Sequence, residues 1–66
     1  NLVVKKIEIY HSLIKIYTSS MVLISDKTNF KKNIQRLVFS FSDLKNTYSK
    51  KITSIDMRYS NGFAIK

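Results

Sequence analysis

One glycine, Gly62, and the absence of proline leave this 66-residue chain very few positions where the backbone is specialised for a sharp turn. Gly62 follows Asn61 in the segment IDMRYSNGFAIK, which spans residues 55–66. Asn-Gly between two alternating segments is the strongest short-range signal for a β-hairpin, because both central residues of its turn have positive φ. The sequence therefore predicts that the chain reverses at Gly62, with positive φ there, between its last two strands.

The first 25 residues have the two-residue period of β-strands. Ile7 and Ile9 alternate with polar neighbours in VVKKIEIY, which predicts a half-buried strand. The segment LIKIYTS repeats this alternation, and MVLIS is a third segment rich in β-forming residues. Ser19 and Ser20 are predicted to form the turn between the second and third strands.

A single amphipathic helix follows in TNFKKNIQRLVFSFSDL. Its apolar residues recur mostly at spacings of three and four and form one stripe, made of Phe30, Ile34, Leu37, Val38, Phe41 and Leu44. The opposite side carries Lys31, Lys32, Gln35 and Arg36. Thr28 or Asn29 is predicted to cap the start of the helix. We interpret the stripe as core, since a chain this short needs its apolar groups there, with a partner groove or a membrane-lying face as the alternative.

The end of the chain returns to strands. NTYSKK is predicted to break the helix, and ITSIDMRY then alternates, with Ile55, Met57 and Tyr59 facing one way. The element order β-β-β-α-β-β predicts an α+β fold, an antiparallel sheet with one helix packed on one face. Residues 1–66 are predicted to form a single small domain, which buries only about 60% of the surface of its unfolded chain.

The residues that carry chemistry do not form a catalytic constellation. Without cysteine the chain has neither a disulfide nor a thiolate metal site, and one histidine with four acidic residues makes a complete metal cage unexpected. His11 and Ser12 are neighbours in a strand and point to opposite faces, so they do not form a base and its nucleophile. Asp26, Asp43 and Asp56 belong to separate elements. We expect a non-enzymatic protein without a cofactor.

The charge of the chain is +8, from twelve basic and four acidic residues. Such an excess is typical of proteins that bind polyanions such as nucleic acid or acidic membrane surfaces. Ten of the twelve are lysine, which codon drift in an AT-rich genome explains equally well. Tyr10, Lys15, Tyr17 and Tyr59 on one sheet would suit base stacking, so a small basic nucleic-acid-binding module is the alternative function. Residues 16–25, the longest uncharged stretch, are too short to span a membrane, which takes about 20 residues.

The last segment, SIDMRYSNGFAIK, resembles the C-terminal signature of the FtsQ/DivIB bacterial cell-division proteins. In that signature an apolar residue, Asp, an apolar residue and Arg-Tyr precede two variable residues, a glycine and a strand. Residues 55–59 supply its first part, Gly62 its glycine and residues 63–66 its strand. Residues 36–39 also resemble the RLxxF segment of the family's helix, so the resemblance covers nearly the whole chain, although it is specific only near the end.

The resemblance implies that residues 1–66 are part of an FtsQ-like β-domain, whose membrane span and POTRA domain lie outside them. It implies a divisome scaffold on the periplasmic side of the bacterial inner membrane, at the division septum. Its partners would be FtsB/FtsL-like division proteins, which add a strand to the last strand of the domain. The partner-binding positions that carry over are Arg58, Tyr59, Gly62, Phe63, Ala64 and Ile65. No small-molecule substrate is implied, nucleic acid is not expected, and the membrane is reached only through an upstream anchor.

Overall fold

The computed structural model describes residues 3–47 and 51–66 and has the predicted α+β architecture, with one helix on one face of a five-stranded sheet. The elements are β1 (Val4–Ile9), β2 (Leu13–Thr18), β3 (Val22–Asp26), α1 (Phe30–Thr47), β4 (Ser54–Asp56) and β5 (Ala64–Ile65). The helix is therefore longer than predicted. The last two strands are shorter, because only their central residues pair with neighbours.

The strands lie in sequence order, β1-β2-β3-β4-β5, so β1 and β5 are the two edges of the sheet. Three neighbouring pairs are antiparallel, but β3 and β4 are parallel. The prediction of a wholly antiparallel sheet is wrong at this pair. The reason is the helix, which carries the chain back along the sheet so that β4 starts at the same end as β3.

The loops at the start and end of β3 are held by side chains. The predicted turn at Ser19 and Ser20 is confirmed, since the Thr18 amide donates to the Met21 carbonyl over 2.9 Å. The Thr18 hydroxyl also accepts from the Met21 amide over 3.0 Å. Just before α1, the Asp26 carboxylate accepts a hydrogen bond from the backbone amide of Asn29 over 3.0 Å. Asn29 occupies the predicted cap position, since its carbonyl accepts from the Asn33 amide over 2.8 Å. The predicted side-chain cap is wrong, because the Asn29 side chain donates to Asp26 over 3.1 Å.

The core lies between α1 and the face of the sheet that it covers. Its buried apolar residues are Ile16, Met21, Leu23, Leu37, Ile52, Ile55 and Met57. Five of the six residues of the helix stripe pack in or against this core, which confirms the interpretation of the stripe as core. The exception is Val38, which is 73% exposed on the flank of the helix.

The first strand departs from the prediction of a half-buried strand. Ile7 and Ile9 lie on the helix side of the sheet, opposite Ile16 and Ile14 of β2, but are 55% and 66% exposed. Alternation along a strand assigns residues to two faces and does not determine whether another element covers either face. Here α1 lies over the central strands, and its apolar residues do not cover β1.

The reversal near Gly62 is confirmed, but its predicted geometry is wrong. Ile55 pairs with Ile65 and Asp56 with Ala64, so β4 and β5 are antiparallel as predicted. Gly62 does not have positive φ, and a Cβ placed on it would meet no heavy atom within 4 Å. The chain reverses over residues 57–63 with a turn at Ser60 and Asn61. A connection of this length does not need the positive-φ turn that a two-residue hairpin requires.

Candidate partner-binding edge at β5

The outer side of β5 carries unpaired main-chain groups. Lys66 and Ser54 exchange both of their backbone hydrogen bonds, at 3.0 and 3.2 Å. In an antiparallel pair such residues alternate with residues whose N–H and C=O groups point away from the neighbouring strand. Ile65, and by the same alternation Phe63, therefore direct these groups outward. No strand among residues 3–47 and 51–66 pairs with this side.

The side chains of the edge are divided between the two faces of the sheet. Phe63 and Ile65 are half-buried and pack against the core. Ala64 pairs with Asp56 on the opposite face. The Arg36 guanidinium lies 5.0 Å from the centre of the Phe63 ring, a distance at which a cation is attracted to the face of an aromatic ring. Of the carried-over positions, Phe63 and Ile65 therefore also help to hold the fold.

Arg36 organises the connection between β4 and β5. Its Nη1 donates to the Ser60 carbonyl over 3.0 Å, and its Nη2 donates to the carbonyls of Tyr59 and Met57 over 2.9 and 3.5 Å. The sequence prediction placed Arg36 on the exposed side of the helix and missed this role. The available signal was its position about 100° from Leu37 around the helix axis, at the flank of the apolar stripe. Its Nε is buried without a hydrogen-bond partner.

Arg58 is already engaged within the chain. Its Nε donates to both carboxylate oxygens of Asp56, over 2.9 and 3.0 Å, and its Nη2 lies 2.6 Å from Oδ2. These hydrogen bonds from Arg58 hold the pKa of Asp56 below its usual value. The same contacts raise the pKa of Arg58. These contacts leave Nη1 and the second N–H of Nη2 as the donors that Arg58 could offer to another group.

A cleft of about 130 Å³ separates the β4–β5 connection from the start of α1. Its lining consists of Asp26, Asn29, Lys32, Asn33, Arg36, Arg58, Tyr59 and Ser60. The volume is well below the roughly 300 Å³ or more of most small-molecule sites, so the cleft suits a single side chain. Tyr59, half exposed, lines the cleft from the β4–β5 connection.

Asp26 supplies the negative charge of this cleft. Its pKa is lowered overall: partial desolvation raises it, but hydrogen bonds from the backbone amides of Asn29 and of Asp26 itself, and from the Asn33 and Asn29 side chains, outweigh desolvation. Asn33 donates to Asp26 over 2.9 Å and to the buried Ser25 hydroxyl over 3.0 Å. The carboxylate is therefore occupied in fixing α1 to β3, and Lys32 and Arg58 give the opening a positive character.

The aromatic and basic residues considered for base stacking are divided between the β1–β2 side of the sheet and the β4–β5 connection. Tyr10 and Tyr17 both donate their hydroxyls to Glu8, over 2.7 and 2.8 Å, on the face opposite the helix. Lys6 lies 4.8 Å from the centre of the Tyr17 ring, and Lys15 lies 5.9 Å from that of Tyr10. Tyr59 belongs to the β4–β5 connection and is not part of this cluster. The ring faces are partly covered by the chain's own lysines, which disfavours stacking of bases.

The described ranges, 3–47 and 51–66, contain no group of three or more histidine, cysteine, aspartate or glutamate residues placed to hold a metal ion. Within the same ranges, α1 is not apolar enough over its length to cross a membrane.

Comparison with known proteins identifies no relative. No protein-family model matches the chain, and no curated protein or solved structure matches it either. The FtsQ/DivIB resemblance thus remains an expectation drawn from residues 36–39 and 54–66.

Proposed function

We propose that this chain is a non-enzymatic interaction module that binds a partner polypeptide by strand addition at the outer edge of β5. The observation that carries the proposal is the pair of outward main-chain groups at Ile65. The connection that leads into β5 adds the exposed Tyr59 and the positively charged cleft. In strand addition, main-chain hydrogen bonds give affinity, and alternate side chains give specificity.

The composition of the edge supports the same function. Soluble proteins usually protect an edge strand with charge, proline or a bulge, because an open edge promotes aggregation. Phe63, Ala64 and Ile65 include none of these, and Lys66 is the only charge beside them. An edge left in this state is well suited to a partner strand that covers it.

The resemblance of residues 54–66 provides the proposed biological setting. We place the chain in a cell-division scaffold of the FtsQ/DivIB type, on the periplasmic side of the bacterial inner membrane at the septum. FtsB/FtsL-like division proteins are the proposed partners. The positive cleft beside Tyr59 would suit an acidic or neutral partner segment better than a basic one.

The test removes one outward main-chain donor. Ile65→Pro deletes the N–H that points away from β4, and proline is tolerated at edge positions of this kind. The probe is a peptide from the strand-forming segment of an FtsB-like protein, and its affinity is measured by calorimetry. Loss of the hydrogen bond from this N–H is expected to weaken binding of the peptide about tenfold. Ile7→Pro is the matched control, since it deletes an outward N–H at the other edge and is expected to leave affinity within about twofold.

Two results would overturn the proposal. One is equal affinity of wild type and Ile65→Pro for the peptide, with both chains folded by circular dichroism. The other is absence of binding to FtsB- and FtsL-like segments together with tight, steeply salt-dependent binding of single-stranded DNA. That result would favour the small basic nucleic-acid-binding module, since the salt slope reports the number of phosphates neutralised.

A further inference from the structure

The second edge of the sheet, β1, exposes apolar side chains and has no partner strand among the described residues. Ile7 and Ile9 lie on the helix side of the sheet and are largely exposed. The helix leaves them uncovered for a geometric reason. Arg36 and Val38 lie about 100° to either side of Leu37, and Arg36 faces the β4–β5 connection. Val38 therefore faces the β1 side, and it leaves both isoleucines exposed.

The backbone N–H and C=O groups of Ile7 and Ile9 also point outward, away from β2. The Tyr10 amide donates to the Leu13 carbonyl over 2.8 Å, which sets the hydrogen-bonding alternation of the β1–β2 pair. Glu8 and Lys6 bond toward β2, and Ile7 and Ile9 point their N–H and C=O groups away from it. The only irregularity of the strand lies between Val4 and Lys6, outside this segment. The edge is thus regular from Lys6 to Ile9.

This edge is complementary to itself in one register. If two copies pair antiparallel with Ile7 opposite Ile7, their outward groups form hydrogen bonds, and Lys6 of each copy lies opposite Glu8 of the other. Lys6 and Glu8 then form close, non-hydrogen-bonded pairs in which opposite charges stabilise a sheet. A shift of two residues places Glu8 opposite Glu8, or Lys6 opposite Lys6, and like charges directly opposite are destabilising. The charges of β1 therefore select the register with Ile7 opposite Ile7.

We propose that two copies of the chain associate through β1 in this register, forming a continuous ten-stranded sheet. The two-fold axis passes between the Ile7 residues, perpendicular to the sheet, so both helices lie on the same face. The Ile7 side chains of the two copies then meet on the floor between the helices, and Ile9 of each copy lies opposite Lys5 of the other. Such an interface is isologous, with the same surface used on both subunits. It is independent of the proposed function, because it uses the opposite edge of the sheet.

A single charge reversal separates pairing by the β1 charges from overall charge. Lys6 also lies 3.3 Å from Glu8 of its own copy, so the stability of each variant is measured beside its association. Lys6→Glu removes one positive charge and adds one negative, which takes the net charge of each copy from +8 to +6. If overall repulsion governs association, this variant associates more tightly than wild type. If the proposed register governs it, the introduced carboxylate lies opposite Glu8 of the other copy, and the dimer dissociation constant rises about fivefold or more. The exchange Lys6→Glu with Glu8→Lys keeps the net charge at +8 and is expected to restore association.

Sedimentation velocity from micromolar to millimolar chain provides the measurement, with circular dichroism to verify the fold. A concentration-dependent dimer that Lys6→Glu weakens and the exchange restores supports the proposal. A monomer throughout the range overturns it, as does a dimer that Lys6→Glu leaves unchanged or strengthens.

An introduced cysteine tests the geometry directly, since the chain has no cysteine of its own. Opposed Cα atoms of a hydrogen-bonded antiparallel pair are about 5.5 Å apart, within the range that a disulfide bridges. Ile7→Cys is therefore expected to form a covalent dimer on mild oxidation. Ile65→Cys, at the other edge, is the control and is expected to remain monomeric. Cross-linking at position 65 and not at position 7 would place self-association at β5 and contradict the proposal.

Discussion

Replacement of Arg36 by methionine is expected to destabilise the chain by about 2–3 kcal/mol. Two good hydrogen bonds, to the carbonyls of Tyr59 and Ser60, are lost. Each contributes about 1 kcal/mol net at a partly exposed site. Loss of the contact with the Phe63 ring adds about 0.5–1 kcal/mol. For a chain of 66 residues, whose total stability is about 3–10 kcal/mol at 0.05–0.15 kcal/mol per residue, this is a large fraction.

The assay is urea unfolding followed by circular dichroism, with thermal unfolding alongside. The midpoint temperature is expected to fall by about 8–24 °C, since 1 kcal/mol corresponds to about 4–8 °C in a domain of this size. Lys32→Met is the matched control, because it removes an exposed cation from the neighbouring turn of the helix and should change stability by less than about 0.5 kcal/mol. Equal stability of the Arg36 and Lys32 variants would refute the role assigned to Arg36.

Three further predictions concern the core, the helix surface and the response to pH. Leu37→Ala, in the buried stripe, is expected to lower the free energy of unfolding by about 2–5 kcal/mol, and Phe39→Ala, at a site 91% exposed, by less than about 0.5 kcal/mol, both measured by urea unfolding. Neutralising Lys31 on the exposed helix face should leave partner affinity within about 0.5 kcal/mol by calorimetry. Hydrogen bonds from Tyr10 and Tyr17, with Lys6 nearby, lower the pKa of Glu8 from 4.5 to about 2. Because the folded-state pKa is depressed, this stabilisation is present above about pH 4.5 and is lost as pH falls toward 2. Glu8→Gln should therefore show a smaller fall in midpoint temperature between these pH values than wild type.

The sequence was informative wherever one periodicity governed a whole element. The three-and-four spacing predicted α1 and most of its buried residues, since a helix on one sheet can bury only one stripe. The same reasoning was wrong for Val38, which lies at the edge of the stripe. Whether such a flanking residue is buried depends on the width of the sheet beneath it. The prediction that Ile7 and Ile9 are half-buried was wrong for a related reason, since alternation along a strand does not indicate how far the helix covers the sheet.

At the candidate site, the pairing of β4 with β5 and the position of β5 at the edge were predictable, and the contacts were not. The Asn61-Gly62 signal gave the reversal but a wrong turn, because the longer connection is held by Arg36 and not by a local positive-φ geometry. Arg36 is distant from that connection in sequence. No local pattern could therefore identify Arg36 as the hydrogen-bond donor to the Ser60 carbonyl. The Asp56–Arg58 contact was predictable because the residues are two apart in one segment.

The shortness of β5 determines where the affinity for a partner has to come from. Only Ile65 and Phe63 direct main-chain groups outward, which allows about four hydrogen bonds worth about 0.5–1.5 kcal/mol each. Association itself costs about 4–15 kcal/mol in lost freedom, so the main chain alone does not give stable binding. The exposed Tyr59 beside the cleft is the available aromatic anchor.

Tyr59→Ala is accordingly expected to weaken the complex by about 2 kcal/mol or more, roughly thirtyfold, while the fold survives. Tyr10→Ala is the matched control, because Tyr10 and Tyr59 are similarly exposed, at 47% and 50%, on opposite edges of the sheet. Calorimetry with the same FtsB-like peptide provides the comparison. If Tyr59→Ala binds like wild type while Ile65→Pro does not bind, main-chain pairing is sufficient for affinity, and the anchoring role of Tyr59 is wrong.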